Sequence, residues 1–347
     1  MRYLLPVMLL VLFSCRERQE VRLQNFLLKG NLALKEGNEE QSLYYFEEAL
    51  KLDPCFADAA NNKGTVFYRQ KRYDKALLAY EQAVQCRPDF LNAYFNRANT
   101  LYEMKEYFGA LADLDRVIRQ KPDTALAHFT KGVVLVRMHD YPAAIRSFDR
   151  AIQLDGQKVE YLVNRAIVKF YQRDYENAKK ELLEASKVND REPNIWNTLA
   201  LIEIEYQRNL PEKSRDYHDA FSLIDHALRL APNQPYYLNN RGYLYLVKGD
   251  LERAENDINE SITRDPYNGW AYRNKGIFYL MKNNPGSAER LFRQAAKMDA
   301  DIDEVYLYLG KALRANGKDD EACQAFREAV KHHDGEASEL IKHCKRS

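Results

Sequence analysis

Residues 57–90, ADAANNKGTVFYRQKRYDKALLAYEQAVQCRPDF, constrain the fold more than any other stretch. At helical period they form two amphipathic segments, Asp58 to Gln70 and Tyr73 to Cys86, joined by a basic turn and closed by Arg87-Pro88, where proline denies a further helix its start. The unit is an αα-hairpin. Gly64, Ala76 and Ala83 fall at its positions 8, 20 and 27, where small side chains let two packed helices approach closely. A lone hairpin cannot bury its apolar faces, so this one predicts similar hairpins stacked on either side.

A 34-residue frame slid along the chain meets that expectation from Leu23 to Glu336. Position 8 reads Gly30, Gly64, Ala98, Gly132, Ala166, Ala200, Gly242, Gly276 and Gly310, and position 20 reads Ser42, Ala76, Ala110, Ala144, Ala178, Ala220, Ala254, Ala288 and Ala322. Position 24 carries a large apolar or aromatic knob, from Phe46 and Tyr80 through Leu114 and Phe148 to Phe326, and position 27 returns to small or β-branched residues.

With those four positions filled in nearly every copy, the array resembles the tetratricopeptide repeat family. The resemblance spans nine repeats and implies an all-α fold: an α-solenoid, a right-handed superhelix of stacked αα-hairpins with a C-terminal capping helix. Repeats one to five occupy 23–192, repeat six 193–234, and repeats seven to nine 235–336, leaving 337–347 as capping helix and tail, with Leu340 and Ile341 covering the last apolar face. The resemblance specifies fold rather than ligand, because one solenoid serves many unrelated partners.

Residues 1–14 form a signal peptide in this reading, with Arg2 followed by ten apolar residues from Leu4 to Phe13, too few to cross a bilayer. The ending Leu12-Phe13-Ser14-Cys15 resembles a bacterial lipobox in the looser form of Bacteroidota, which makes Cys15 the lipidated first residue and 15–22 a short polar tether. Ordinary secretion with cleavage after Ser14 is the alternative, giving a soluble periplasmic or secreted protein. Localisation is otherwise expected in a bacterial cell envelope, membrane-anchored.

Turn chemistry supports the frame. Gly37 at position 15 suits a left-handed helix end, and Asp140 and Asp174 at position 16 suit N-caps. Repeat six holds 42 residues, eight more than its neighbours, inserted around Tyr206 to His218; the spacing predicts both its helices lengthened by about one turn, with Pro211 opening the second.

The 52 basic and 51 acidic residues leave no net field for nucleic acid. No G-x-x-x-x-G-K-[ST], G-x-S-x-G, H-E-x-x-H or paired C-x-x-C is present, so no catalytic residue, cofactor or metal is assigned; His332, His333, His343 and Cys344 match no standard ligand spacing. Among Cys55, Cys86, Cys323 and Cys344, a Cys323–Cys344 bridge would pin the capping helix in an oxidising compartment, but free thiols packed as small hydrophobes are the favoured reading.

A basic residue recurs at position 7: Lys29, Lys63, Arg97, Lys131, Arg165, Arg241 and Lys275. Either it forms an anion-binding stripe or, as favoured, it pairs within the hairpin with an acid sixteen residues on: Arg97 with Asp113, Arg165 with Glu181, Arg241 with Asp257. By resemblance, positions 2, 5, 6, 9, 12 and 13 line the concave groove. Position 6 gives Asn62, Asn96, Asn164, Asn240 and Asn274, and position 12 gives Tyr68, Tyr102 and Phe170, so a row of amides beside aromatics is expected to clasp an extended peptide. The competing view is that these asparagines are family residues with no ligand. A chaperone-type carboxylate clamp is set aside, because Leu27, Asn92 and Asn96 stand where its basic residues belong.

The function expected is a non-enzymatic scaffold that binds a protein or peptide and helps assemble a complex. The alternatives are a passive structural subunit with no groove ligand and an enzyme with an unrecognised site.

Overall fold

The structure, a computed structural model, describes residues 4–332 and 335–344, the side chains of 4–17 excepted. Among the described residues there are nineteen α-helices and no strand. They are α1 (Leu4–Lys35), α2 (Glu39–Leu52), α3 (Ala57–Arg69), α4 (Tyr73–Cys86), α5 (Leu91–Glu103), α6 (Tyr107–Gln120), α7 (Ala125–Arg137), α8 (Tyr141–Leu154), α9 (Val159–Tyr171), α10 (Tyr175–Val188), α11 (Pro193–Arg208), α12 (His218–Leu230), α13 (Pro235–Lys248), α14 (Leu251–Arg264), α15 (Gly269–Met281), α16 (Pro285–Met298), α17 (Val305–Ala315), α18 (Asp319–Lys331) and α19 (Gly335–Leu340). The chain divides into two compact units, the first ending at Val168 and the second beginning at Lys169.

In the first unit, α1 packs on α2, α3 on α4, α5 on α6 and α7 on α8, and each second helix also packs on the first helix of the next hairpin, α2 on α3, α4 on α5 and α6 on α7. The second unit repeats the scheme with α11 on α12, α13 on α14, α15 on α16 and α17 on α18. This is the all-α solenoid of stacked hairpins that the spacing predicts.

The reason lies at the helix crossings. A Cβ added to Gly64 would stand 2.7 Å from the Tyr80 ring, and one added to Gly132 would stand 2.5 Å from the Phe148 ring. Glycine occupies position 8 wherever an aromatic fills position 24 of the same hairpin, and alanine occupies it where that knob is Leu114, Leu182 or Ile224. Phe148 and Phe292 are fully buried in this way, each contributing about 1.5–3 kcal/mol of hydrophobic stabilisation.

The tips need a left-handed residue. Gly37, Gly249 and Gly317 supply it with φ near +80°, but Lys71, Lys105, His139, Arg173 and Asn283 hold the same position at φ between 56° and 64°. Asp140 caps α8 by accepting from the Ala143 amide at 3.1 Å. Asp174 makes no such cap; its carboxylate accepts from the Asn177 side chain instead.

Three expectations change. The tether drawn at 15–22 is helix, because α1 runs unbroken from Leu4 into the first repeat, and Gln19 already donates to the Leu52 carbonyl at 2.9 Å. The lipidation assigned to Cys15 and the signal peptide lie outside the described side chains. In repeat six only the first helix grows: α11 has 16 residues, whereas α12 keeps 13. Pro211 caps a short 3₁₀ turn, Glu212–Ser214, rather than opening the second helix. The intervening backbone is held by Arg215, which donates to the Leu210 carbonyl at 3.0 Å, and by Gln207, which accepts from the Asp216 amide at 2.8 Å.

The third change concerns sulfur. Both cysteine pairs are disulfides, Cys55–Cys86 and Cys323–Cys344. The first joins the connection after α2 to the end of α4, since stacking brings the ends of successive second helices together. The second ties α18 to the segment after α19, whose Ala337 is fully buried and whose Leu340 packs on the last core cluster.

Candidate functional site

The groove-lining positions are best followed through the asparagines. In the first unit the Asn96 amide donates to Asn61 Oδ1 at 3.0 Å, and Asn62 donates to Asn31 Oδ1 at 2.7 Å. In the second, Asn240 donates to Asn197 Oδ1 at 2.8 Å and Asn274 to Asn239 Oδ1 at 2.9 Å. Each position-6 amide is thus spent on the preceding repeat, where position 5, or position 9 in the case of Asn31, offers the acceptor. Asn164 is the exception. Position 5 of the repeat before it is Phe129, so its amide turns to the Glu160 carbonyl of its own helix at 2.9 Å.

Asn274 is also only 2% exposed, so it is removed from any groove surface; Asn62, Asn96, Asn164 and Asn240 are half-buried. The signal for this ladder was an asparagine 35 residues upstream, as in Asn61 before Asn96 and Asn239 before Asn274.

The aromatics sit differently. Tyr68 packs on Tyr73 with ring centres 5.6 Å apart, Tyr102 on Tyr107 at 6.0 Å, and in the second unit Phe170 on Tyr175 at 5.6 Å. Position 12 therefore leans on position 17 of its own hairpin near the tip, and all three rings stay partly exposed. Burial raises the Tyr68 phenol above its ordinary value, with Glu103, Tyr73 and Tyr102 adding to the effect. The Tyr102 hydroxyl accepts from Arg137 at 3.0 Å.

At position 7 the guanidinium of Arg97 grips Asp113 with two bonds of 2.7 Å, and Arg241 grips Asp257 at 2.7 and 2.9 Å. Bidentate pairs of this kind are strong because both donors are fixed in one plane. Arg241 reaches a second acid, Asp225, at 2.9 Å in the preceding hairpin. That backward contact recurs: Lys63 with Glu47 at 3.0 Å, Lys131 with Asp115 at 2.6 Å, and Arg165 with Asp149. Glu181 accepts from Lys169 at 2.6 Å. The acids that bind position 7 therefore lie sixteen residues away in both directions, at position 23 of the same hairpin and at position 25 of the one before.

No group of three or more candidate metal ligands occurs among the described residues. His333 lies outside them, and the Cys344 sulfur is committed to its disulfide. No described helix is long and apolar enough to cross a membrane.

The 34-residue spacing and the stacked hairpins match known proteins. Residues 27–89, 95–159, 212–269 and 275–337, together well over half of the sequence, match the tetratricopeptide repeat family, to which the chain belongs. It is 28% identical over 156 residues to human Tetratricopeptide repeat protein 7A, a match covering 45% of this chain and 18% of that protein, so it spans less than a fifth of that relative. Among solved structures it is similar to one titled APC/C hetero-tetramer Cut9-Hcn1, with TM-score 0.61 and 15% identity over 92% of this chain and 63% of that one. It is also similar to pilF of Pseudomonas aeruginosa, with TM-score 0.53 and 20% identity over 63% of this chain and 96% of that one. Those likenesses are of fold. The fold itself is a scaffold suited to protein–protein interaction.

Proposed function

We propose that the protein is a non-enzymatic scaffold, nine repeats long, that binds a protein or extended peptide along the groove-lining face of its first unit and assists assembly of a complex. The observation that carries the reading is the pair Tyr68 and Tyr102. They occupy the same place one repeat apart, each braced by a tyrosine of its own hairpin and each still partly exposed. Rigid aromatics with polar tips gain contact area on binding at little entropic cost. Since Asn62 and Asn96 already hydrogen-bond within the array, these rings and not the amides are the contact candidates.

In this proposal the scaffold is anchored in a bacterial envelope through lipid on Cys15. The two disulfides favour an oxidising compartment, and the N-terminal sequence supplies the lipobox resemblance. The test is crosslinking in cells with and without Tyr68→Ala and Tyr102→Ala, together with fatty-acid labelling of Cys15→Ala. Loss of partner capture at an unchanged melting temperature supports the scaffold; full capture by the double variant overturns it. Labelling that is absent in the wild type overturns the anchor alone.

A further inference from the structure

The connection from α16 to α17, residues 299–304, is six residues long, whereas the other connections between hairpins, such as 231–234 and 265–268, are four. Its last residue, Glu304, has φ +58°. The other non-glycine residues with positive φ among those described, Lys71, Lys105, His139, Arg173 and Asn283, all sit at hairpin tips. At the equivalent place in earlier repeats Tyr236 and Trp270 are ordinary helix. α17 therefore starts two residues late, with 11 residues against 13 in α15, and Glu304 is bent into a conformation that L-residues seldom adopt.

The unwinding delivers a carboxylate. One Glu304 oxygen accepts from Arg208 and the other from Arg273. Arg208 comes from the extra turn that the repeat-six insertion gives α11, 96 residues away in sequence. Arg273 is 4% exposed, is sandwiched by the rings of Tyr243 and Tyr308 at 5.2 and 5.3 Å, and leaves its Nε without a hydrogen bond. Glu205 meets the other side of Arg208 at 3.1 Å, while Asp303 pairs with Arg173 at 3.7 Å and so does not compete.

A guanidinium this buried cannot remain unpaired, since desolvating a lone charge is costly. A fixed structural pair would need only a glutamate on an intact helix. Here the chain gives up the first two residues of the helix to reach the cations, as a stand-in for an external anion would. We propose that Arg208 and Arg273 form a carboxylate-binding site in the second unit, that Glu304 fills it internally, and that the carboxylate of an extended peptide displaces Glu304 and lets α17 wind back toward Asp303. The site shares no residue with the Tyr68 and Tyr102 surface and stands or falls separately.

The test is calorimetry on the full chain with three serine–glycine dodecapeptides: one with a free C-terminal carboxylate, its C-terminal amide, and an amide carrying one internal glutamate. Glu304→Gln is expected to bind at least one carboxylate-bearing peptide about tenfold tighter than the parent chain, and the plain amide no tighter. Adding Arg208→Gln is expected to abolish the gain. Which carboxylate gains identifies the source as chain terminus or side chain. Hydrogen exchange at 303–306 is expected to slow in Glu304→Gln, and in the parent chain when the carboxylate peptide binds, and to stay unchanged in Arg208→Gln, where Arg273 still holds Glu304. Equal gain by the plain amide, no gain at all, or a gain that survives Arg208→Gln overturns the proposal, as does unchanged exchange in Glu304→Gln.

Discussion

Asn96 donates its amide to Asn61 across a repeat boundary at 3.0 Å, and Asn61 passes its own amide to Asn62 at 3.0 Å. Through Asn62 the chain of amides reaches Asn31, so one run of side-chain hydrogen bonds links three successive hairpins.

Asn96→Ala is therefore expected to destabilise by about 0.5–1.5 kcal/mol, the usual net worth of such a bond. A double-mutant cycle with Asn61→Ala, read by urea unfolding, should show coupling between the two sites. Strict additivity would mean that the ladder carries no register information.

Gly132→Ala should cost about 1–3 kcal/mol, because the new methyl stands 2.5 Å from the Phe148 ring. Phe148→Leu in the same chain should restore part of the loss, recreating the alanine and leucine pairing that Ala98 and Leu114 already have. Thermal melts of the single and double variants check both statements.

The crossings were legible in sequence because small residues at positions 8 and 20 leave no other use for a 34-residue period. The groove was legible only as positions. Asparagine at position 6 looks the same whether its partner is a peptide or Asn61, and nothing local distinguishes them; the deciding residue lies in the preceding repeat, 35 places upstream for Asn96 and Asn274. Position 7 was legible in part: the forward step of sixteen residues from Arg97 to Asp113 and from Arg241 to Asp257 holds, but the backward step of the same length, from Lys131 to Asp115, was not visible from the hairpin alone. The Cys55–Cys86 bond was invisible because sequence spacing does not show that stacking brings two helix ends together.

Acid should weaken the Glu304 cluster. Burial alone would raise the Glu304 carboxyl, but Arg273 and Arg208 outweigh it and hold the group below its ordinary value of 4.5. A depressed carboxylate contributes stability that is complete above the unfolded value and is lost as pH falls through the folded one. The stability gap between the parent and Glu304→Gln should therefore be constant above about pH 5 and shrink below pH 4.5. Glu205, raised by burial and in part by the Glu304 charge, acts in the opposite sense; carrying Glu205→Gln in both chains, compared in denaturant melts, removes its part. A gap that grows on acidification would contradict the sign.

Reduction should separate the two disulfides. Cys55–Cys86 closes 31 residues and Cys323–Cys344 closes 21, and each is expected to contribute about 2–4 kcal/mol through the unfolded chain. Cys344→Ser should in addition speed hydrogen exchange in α19, whose contacts with α18 then rest on Ala337 and Leu340. Cys86→Ser should leave α19 unchanged. Intact-mass alkylation without reductant should find no free thiol among these four residues.

The acid at position 25 and the base that follows it in the next hairpin also obey a rule of adjacency. Glu47, Asp115, Asp149, Asp225 and Asn259 are answered by Lys63, Lys131, Arg165, Arg241 and Lys275. Where position 25 is Leu183 or Arg293, the next hairpin offers Leu199 or Leu309 instead. Each hairpin edge is thus matched in kind to its neighbour. Copies with interchangeable cores are not interchangeable everywhere: moved behind repeat five or repeat eight, repeat two would set Lys63 against Leu183 or Arg293, so part of the order of the array is written in its seams.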